Sequence, residues 1–157
     1  MQKITPFLWF NGNAEEAVNF YLTVFKNSKI LGIARYGEAG PGPKGSVLTI
    51  DFELEGERFT ALNGDAHFAF TGAISFVVHC KSQEEVDHYW DKLSEGGRQM
   101  QCAWLIDKYG VTWQIVPDIL IKLLRDEDPA KSDRVMRAML KMHKIDIATL
   151  QRAYDQD

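Results

Sequence analysis

Cysteine is scarce: Cys80 and Cys102 are the two in 157 residues. That is too few for a disulfide framework and fits a reducing, cytoplasmic setting. Long apolar runs are missing, and none approaches the ~20 residues that a membrane span needs. No basic-then-apolar leader opens the chain, so secretion through a signal peptide is not expected. Basic runs are missing too: 18 Lys and Arg against 22 Asp and Glu leave a formal charge of −4. An acidic chain with no basic run of five or more is poorly suited to binding a nucleic-acid phosphate backbone. The four histidines show no metal-type spacing such as His-x-x-x-His. What remains is ordinary globular material, 45% apolar and 25% charged, which argues against disorder. The length suits one domain, or two small modules sharing a core.

Residues 3–10 form an apolar run that stops at Asn11-Gly12, a strand signature. Asn13 with Glu16 resembles a capping box and predicts a helix to about Lys26. Ala14, Ala17, Val18, Tyr21 and Phe25 make its apolar stripe. Residues 29–36 read as a second strand. Residues 37–45, rich in glycine and proline, cannot hold regular structure and read as a flexible rim. Leu48, Ile50, Phe52 and Leu54 alternate with more polar neighbours, the period of a strand with one buried face. A turn at Glu55-Gly56-Glu57 leads into a fourth strand.

The pattern then repeats. Residues 73–80 read as a strand, and Ser82 with Glu85 is a fuller capping box. The helix behind it ends at Gly96-Gly97, and strands follow around 98–106 and 111–117. Shifting the chain by 69 positions lays Asn13 on Ser82, Glu15-Glu16 on Glu84-Glu85, Phe20-Tyr21 on Tyr89-Trp90 and Phe7 on Phe76. The physical reading is α+β, with two strand–helix–strand–strand–strand units, each carrying an apolar sheet face that it cannot bury alone. The expected organisation is one domain made of unit one at 1–66, unit two at 67–117 and a helical extension at 118–157. In the extension, Asp128-Pro129 and Asp146 are helix starts. Its apolar stripes suit docking on the sheet or on a second subunit.

The duplicated unit, and above all DKYGVTWQIVP at 107–117, resembles the glyoxalase, bleomycin-resistance and extradiol-dioxygenase superfamily, the vicinal oxygen chelate proteins. FTALNG (59–64), HFAFTGAISFVVHC (67–80), EEVDHYWDKLSEGG (84–97), QCAWLIDKYG (101–110) and the tail 134–154 are similar to its 3-demethylubiquinone 3-methyltransferase-like, or PhnB-like, branch. The resemblance implies paired βαβββ units forming an open curled mixed sheet around a cavity, and a homodimer. It also implies where catalytic relatives hold a divalent metal. Those positions fall here on Pro6, on Ala61 or Asn63, on Ser75 and on Gln114. Proline has no donor atom, and Ser, Ala and Asn are poor ligands for zinc, nickel or iron. Gln114 alone cannot hold a transition metal, so no metal and no other cofactor is expected. The family label names a methyltransferase, yet no glycine-rich strand-to-helix turn of the usual nucleotide-cradling kind is present.

Strand parity sorts the cavity residues. If Pro6 faces the cavity, so do Leu8 and Phe10, while Phe7 and Trp9 face the helices. In the second unit Ser75, Val77, His79, Thr112, Gln114 and Val116 share the cavity face, and Trp113 and Cys80 face the helices. The expected ligand-binding residues are Asn63, His79, Trp104 and Gln114, polar or aromatic anchors in an apolar cleft. Trp104 can equally stack on a planar ligand or close the core or a dimer contact. Cys102 as a nucleophile and His67 as an acid or base are the weaker catalytic candidates. A buried inert cysteine and a loop histidine are the plainer readings of the same two residues. Three functions therefore stand in order: a metal-independent binding protein for a small, partly apolar molecule; an enzyme working through Cys102 or His67, with Asn63 or Gln114 as polariser; and a metalloenzyme with a site relocated to His67, His79 and nearby carboxylates.

Overall fold

The computed structural model describes residues 2–65 and 67–156. It divides into two compact units, Met1–Ala69 and Phe70–Asp157. The boundary expected at residue 66 falls on a position outside the described residues.

The first unit runs β1 (Phe7–Asn11), α1 (Ala14–Val24), β2 (Ser28–Arg35), β3 (Val47–Leu54) and β4 (Glu57–Gly64). Its sheet has the order β1-β4-β3-β2, with β1 parallel to β4 and the other pairs antiparallel. Leu8 and Phe10 of β1, Ile50, Phe52 and Leu54 of β3, and Phe59 and Ala61 of β4 are all buried. Pairing places them on one face. Against it α1 packs Ala14, Ala17, Val18 and Tyr21, the stripe expected from the sequence. Tyr21 and Phe59 flank Phe52 in a stack, with ring centroids 6.5 and 5.4 Å away. Each large apolar side chain so buried is worth about 1.5–3 kcal/mol before the cost of ordering it.

The helix start differs from expectation. Asn13 makes no side-chain cap bond. The N–H of Ala14 is accepted instead by Asn63 Oδ1, 3.1 Å away at the end of β4. The cap comes from a residue 49 positions along the chain, which local spacing could not reveal.

The second unit runs β5 (Phe76–Cys80), α2 (Gln83–Ser94), β6 (Arg98–Gln99), β7 (Trp104–Ile106), β8 (Thr112–Pro117), α3 (Asp118–Leu124), α4 (Pro129–Met139) and α5 (Ile147–Asp155). Its sheet, β5-β8-β7-β6, repeats the first topology, with β5 parallel to β8. The architecture is thus α+β, with a βαβββ unit made twice. The box at Ser82 forms: Glu85 N–H donates to Ser82 Oγ at 3.2 Å, and Glu85 Oε2 accepts from Lys81 N–H at 2.9 Å. Asp128 and Asp146 cap α4 and α5 as their sequence positions imply. Asp107 is buried and shapes the last hairpin. Its Oδ1 accepts the N–H groups of Tyr109 and Val111, and its Oδ2 accepts Trp113 Nε1–H at 2.9 Å.

The strand expected at 98–106 is two short strands. Between them Cys102 (φ 58°) and Ala103 (φ 76°) lie in the left-handed region, which costs non-glycine residues on the order of 1–3 kcal/mol each. Their backbone is fixed from three sides. Cys102 N–H donates to Met142 O, Ala103 N–H donates to His143 O, and Ala103 O accepts Ile115 N–H, at 2.8–2.9 Å. The loop between α4 and α5 supplies two of these acceptors. Leu120, Leu123, Val135, Ile145 and Leu150 form the core of the C-terminal helices and pack on Ala103 and Val116. Val116, expected to line a cavity, is therefore covered by the tail.

Candidate functional site

The open face of the first sheet carries the cavity, and its register is the reverse of that read from the sequence. Leu8 and Phe10 are in the core, and Phe7 and Trp9 point away from α1; Phe7 is 58% exposed. The cause is Gly12. It sits at φ +83°, a conformation glycine adopts without strain, and adds one residue between strand and helix. The second unit has Lys81 alone between its last buried strand residue, Cys80, and its cap, Ser82, against Asn11 and Gly12 between Phe10 and Asn13 in the first, and there the expected parity holds.

At the end of the first sheet where β1 and β4 finish, a cleft of about 650 Å³ opens. Trp9 and Leu62 form its floor, with Val47 at the start of β3. The loop between β2 and β3 forms a wall through Pro41, Gly42 and Pro43. This segment, expected as a flexible rim, is folded around Tyr36. The N–H of Tyr36 donates to Ser46 O at 2.9 Å, and Gly45 N–H returns to Tyr36 O at 2.8 Å. The Tyr36 hydroxyl donates to Asn63 O at 2.7 Å. Gly40 and Gly42 lie against its ring, where an added Cβ would fall 2.6 and 2.5 Å from ring carbons.

Polar groups stand at the mouth. His67 and Asp65 line the cleft, and both are exposed. The imidazole of His67 meets the Trp9 indole edge-on, with ring centroids 6.1 Å apart, and Phe68 meets it at 5.6 Å. Trp9 Nε1 is buried without a hydrogen-bond partner among the described residues. Asn63 also reaches the cleft, but its side-chain oxygen is engaged as the α1 cap and its carbonyl holds Tyr36. It is a structural element of the wall.

The residues picked from the second unit form no group around Cys102 or with one another beyond strand neighbours. Gln114 and Trp104 are cross-strand partners on the open face of the second sheet. Gln114 Nε2 donates to Ser75 Oγ at 2.9 Å. His79 is exposed beside Asp118, with Nδ1 3.8 Å from Oδ1. Cys102 Sγ points at Met139 O, 3.7 Å away, and no base or cation is bonded to it among the described residues. It lacks the partner a nucleophilic thiol needs. Cys80 is fully buried, and burial, with smaller contributions from Glu85 and Asp118, pushes its thiol up to about 12.

The family-implied metal positions can now be placed in register. In the second unit they are Ser75 and Gln114, bonded to each other. In the first unit the Gly12 insertion moves them from Pro6 and Ala61 or Asn63 to Thr5 and Thr60. Phe7 pairs with Thr60 as Val77 pairs with Gln114. Thr5 and Thr60 indeed share a groove of about 210 Å³ with Asp51, and the Thr60 hydroxyl donates to Asp51 at 2.7 Å. Two hydroxyls in one unit, and an amide and a hydroxyl in the other, do not match the His and Glu sets of catalytic relatives.

Residues 2–116 match the family model described as 3-demethylubiquinone-9 3-methyltransferase. The chain belongs to this family. It is 41% identical to a PhnB protein from Bacillus cereus that bears the same label, over 74% of this chain and 99% of that one, with a TM-score of 0.67. Protein PA1353 from Pseudomonas aeruginosa is 21% identical over 75% of this chain and 100% of its own, with a TM-score of 0.61. The fosfomycin resistance protein FosX from Listeria monocytogenes is 16% identical over 80% and 98%, with a TM-score of 0.56, a likeness of fold. The fold is that of the glyoxalase and bleomycin-resistance superfamily. No curated protein matches the sequence.

Trp9, Tyr36 and Asp65 escaped the reading of the sequence. Trp9 was hidden by the inverted parity. Tyr36 had a visible signal, an aromatic residue placed directly before a glycine- and proline-rich loop.

Proposed function

We propose that this family member is a metal-independent binding protein for a small, partly apolar molecule, held in the first unit by the cleft between Trp9, the Tyr36 loop and His67. The observation that carries the reading is the cleft itself. It is a concave site of ligand size with apolar walls and a few polar groups at its mouth, the usual make-up of a small-molecule site. The donor sets at the metal positions support independence from metal, because Thr60, Ser75 and Gln114 are already bonded to neighbours. The methyltransferase label draws no support from the glycine-rich segment. That segment joins two antiparallel strands and packs Gly40 and Gly42 on a tyrosine, with no helix behind it to face a phosphate or carboxylate. The reading includes a homodimer, supported by apolar side chains left at the surface, among them Leu140 at the C-cap of α4, 53% exposed. It also places the protein in the cytoplasm, supported by two unpaired cysteines.

The test is a metabolite screen by thermal shift on untagged protein, followed by NMR titration of each hit. A ligand that raises the melting temperature and moves the Trp9 indole N–H and His67 signals, with only trace metal in the sample, is the expected result. A tightly held ion contacting Gln114 or Thr60, without which no hit binds, overturns the reading.

A further inference from the structure

The charge of the cleft goes beyond its shape. We infer that the cleft selects organic cations, molecules that carry an amine or quaternary ammonium on a flat apolar body, and turns anions away. This inference rests on the binding reading above.

No lysine or arginine lines the cleft among the described residues. Arg35 at the end of β2 and Lys44 on the neighbouring loop are engaged elsewhere. Arg35 Nη1 donates to Gly45 O at 3.1 Å, and Lys44 pairs with Glu38 at 2.9 Å. Asp65 is the wall's carboxylate, and it makes no hydrogen bond or ion pair among the described residues. The Tyr36 hydroxyl is turned to Asn63 O, to which it donates. Trp9 lines the floor, and an indole attracts a positive group that reaches its ring face. Pro41, Pro43, Val47, Leu48 and Leu62 make the apolar part of the wall, which accepts an apolar body but cannot solvate an anion, and Ser46, Asn63 and His67 are its remaining polar side chains. A net charge of −4 adds a long-range field of the same sign. A phosphate, phosphonate or carboxylate would enter this cleft against one fixed negative charge with no fixed cation to receive it.

Three probes of similar size separate the terms: benzyltrimethylammonium, benzyl alcohol and phenylphosphonate. The full chain is titrated with each, and the Trp9 indole N–H is followed by NMR. The cation is expected to bind most tightly and phenylphosphonate not at all. Asp65→Asn is expected to weaken the cation by about two- to fivefold, the range for a partly screened ion pair, and to leave benzyl alcohol unchanged. Asp65→Lys is expected to reverse the order of cation and anion, a result that a merely structural role for Asp65 would not produce. Asp65 is exposed, so both variants should fold, and an unchanged melting temperature checks this. If benzyl alcohol or phenylphosphonate binds as well as the cation, or Asp65→Asn changes nothing, the cation inference fails while the binding reading stands. If none of the three moves the Trp9 signal, both fail.

Discussion

Gln114 Nε2 donates to Ser75 Oγ across 2.9 Å, so the two positions of the second unit that relatives use for a metal satisfy each other. A cation entering there would have to break this bond and would receive two neutral oxygens in return. Hard and borderline ions alike bind such a pair weakly. The protein incubated with Mn(II) or Zn(II) and then desalted is therefore expected to retain only trace metal. Gln114→Ala is expected to leave that value unchanged. Ser75→His combined with Gln114→Glu restores the residue types of catalytic relatives and is expected to raise retention. Stoichiometric metal on the unmodified protein would contradict the donor-set argument.

Gly42 and Tyr36 set the width of the cleft. A Cβ at position 42 would lie 2.5–2.8 Å from three carbons of the Tyr36 ring, closer than packed atoms come. The ring cannot yield freely, because its hydroxyl is tied to Asn63 O. Gly42→Ala is expected to cost about 1–3 kcal/mol by overpacking and to weaken any ligand of the cleft. Tyr36→Phe removes the tie alone and is expected to cost about 0.5–1.5 kcal/mol. Denaturant melts of the two variants check the order. A Gly42→Ala protein as stable as the parent would show that the wall is loose.

Much of the fold was legible because it rests on local, repeating chemistry. The stripe Ala14, Ala17, Val18 and Tyr21 has helical period, Ile50, Phe52 and Leu54 have strand period, and Ser82, Asp128 and Asp146 cap within three residues of themselves. The site was less legible because single residues with non-local consequences decide it. Gly12 adds one position and exchanges the two faces of β1, which sent Trp9 to the cleft and Leu8 to the core. Asn63 looked like a ligand anchor, but its partner, Ala14, lies 49 residues away. The strand at 98–106 broke because Cys102 and Ala103 are held in left-handed backbone by carbonyls of the tail, which no local pattern encodes.

Cys80 makes stability depend on alkaline pH. The native thiol is pushed up to about 12 by burial, with Glu85 and Asp118 adding to the rise, from an ordinary value of 9.0. Between those values the unfolded chain releases a proton that the native chain keeps. The contribution is intact below pH 9 and is lost as pH rises, by about 1.4 kcal/mol per unit. Urea midpoints at pH 8 and pH 10.5 are expected to fall further for the parent than for Cys80→Ala, which has no thiol to titrate. Equal falls in both proteins would show that Cys80 ionises freely in the folded state.

Gln83 fastens the helical tail to the first turn of α2. Its Oε1 accepts Ile147 N–H at 2.8 Å, and its Nε2 donates to Ile145 O at 2.9 Å and to Asp87 at 3.0 Å. The amide thus mimics a strand partner for the stretch that leads into α5. Lys144 adds a second link to the same carboxylate of Asp87 at 3.1 Å. Ile145 is fully buried in the tail core, which packs on Ala103. Gln83→Ala leaves the N–H of Ile147 and the carbonyl of Ile145 without their partner, a loss of about 1–3 kcal/mol for half-buried groups. Lys144→Ala is expected to cost less than about 1 kcal/mol, because that pair is partly exposed and screened by salt. Hydrogen exchange should show the difference in place as well as size. In Gln83→Ala the amides of α5 and of Cys102 and Ala103, whose acceptors Met142 and His143 lie just before this stretch, are expected to exchange faster, while β1, β3 and β4 keep their protection. Uniform acceleration over both units would mean that the tail is no separate cooperative element and that Gln83 acts on the whole chain.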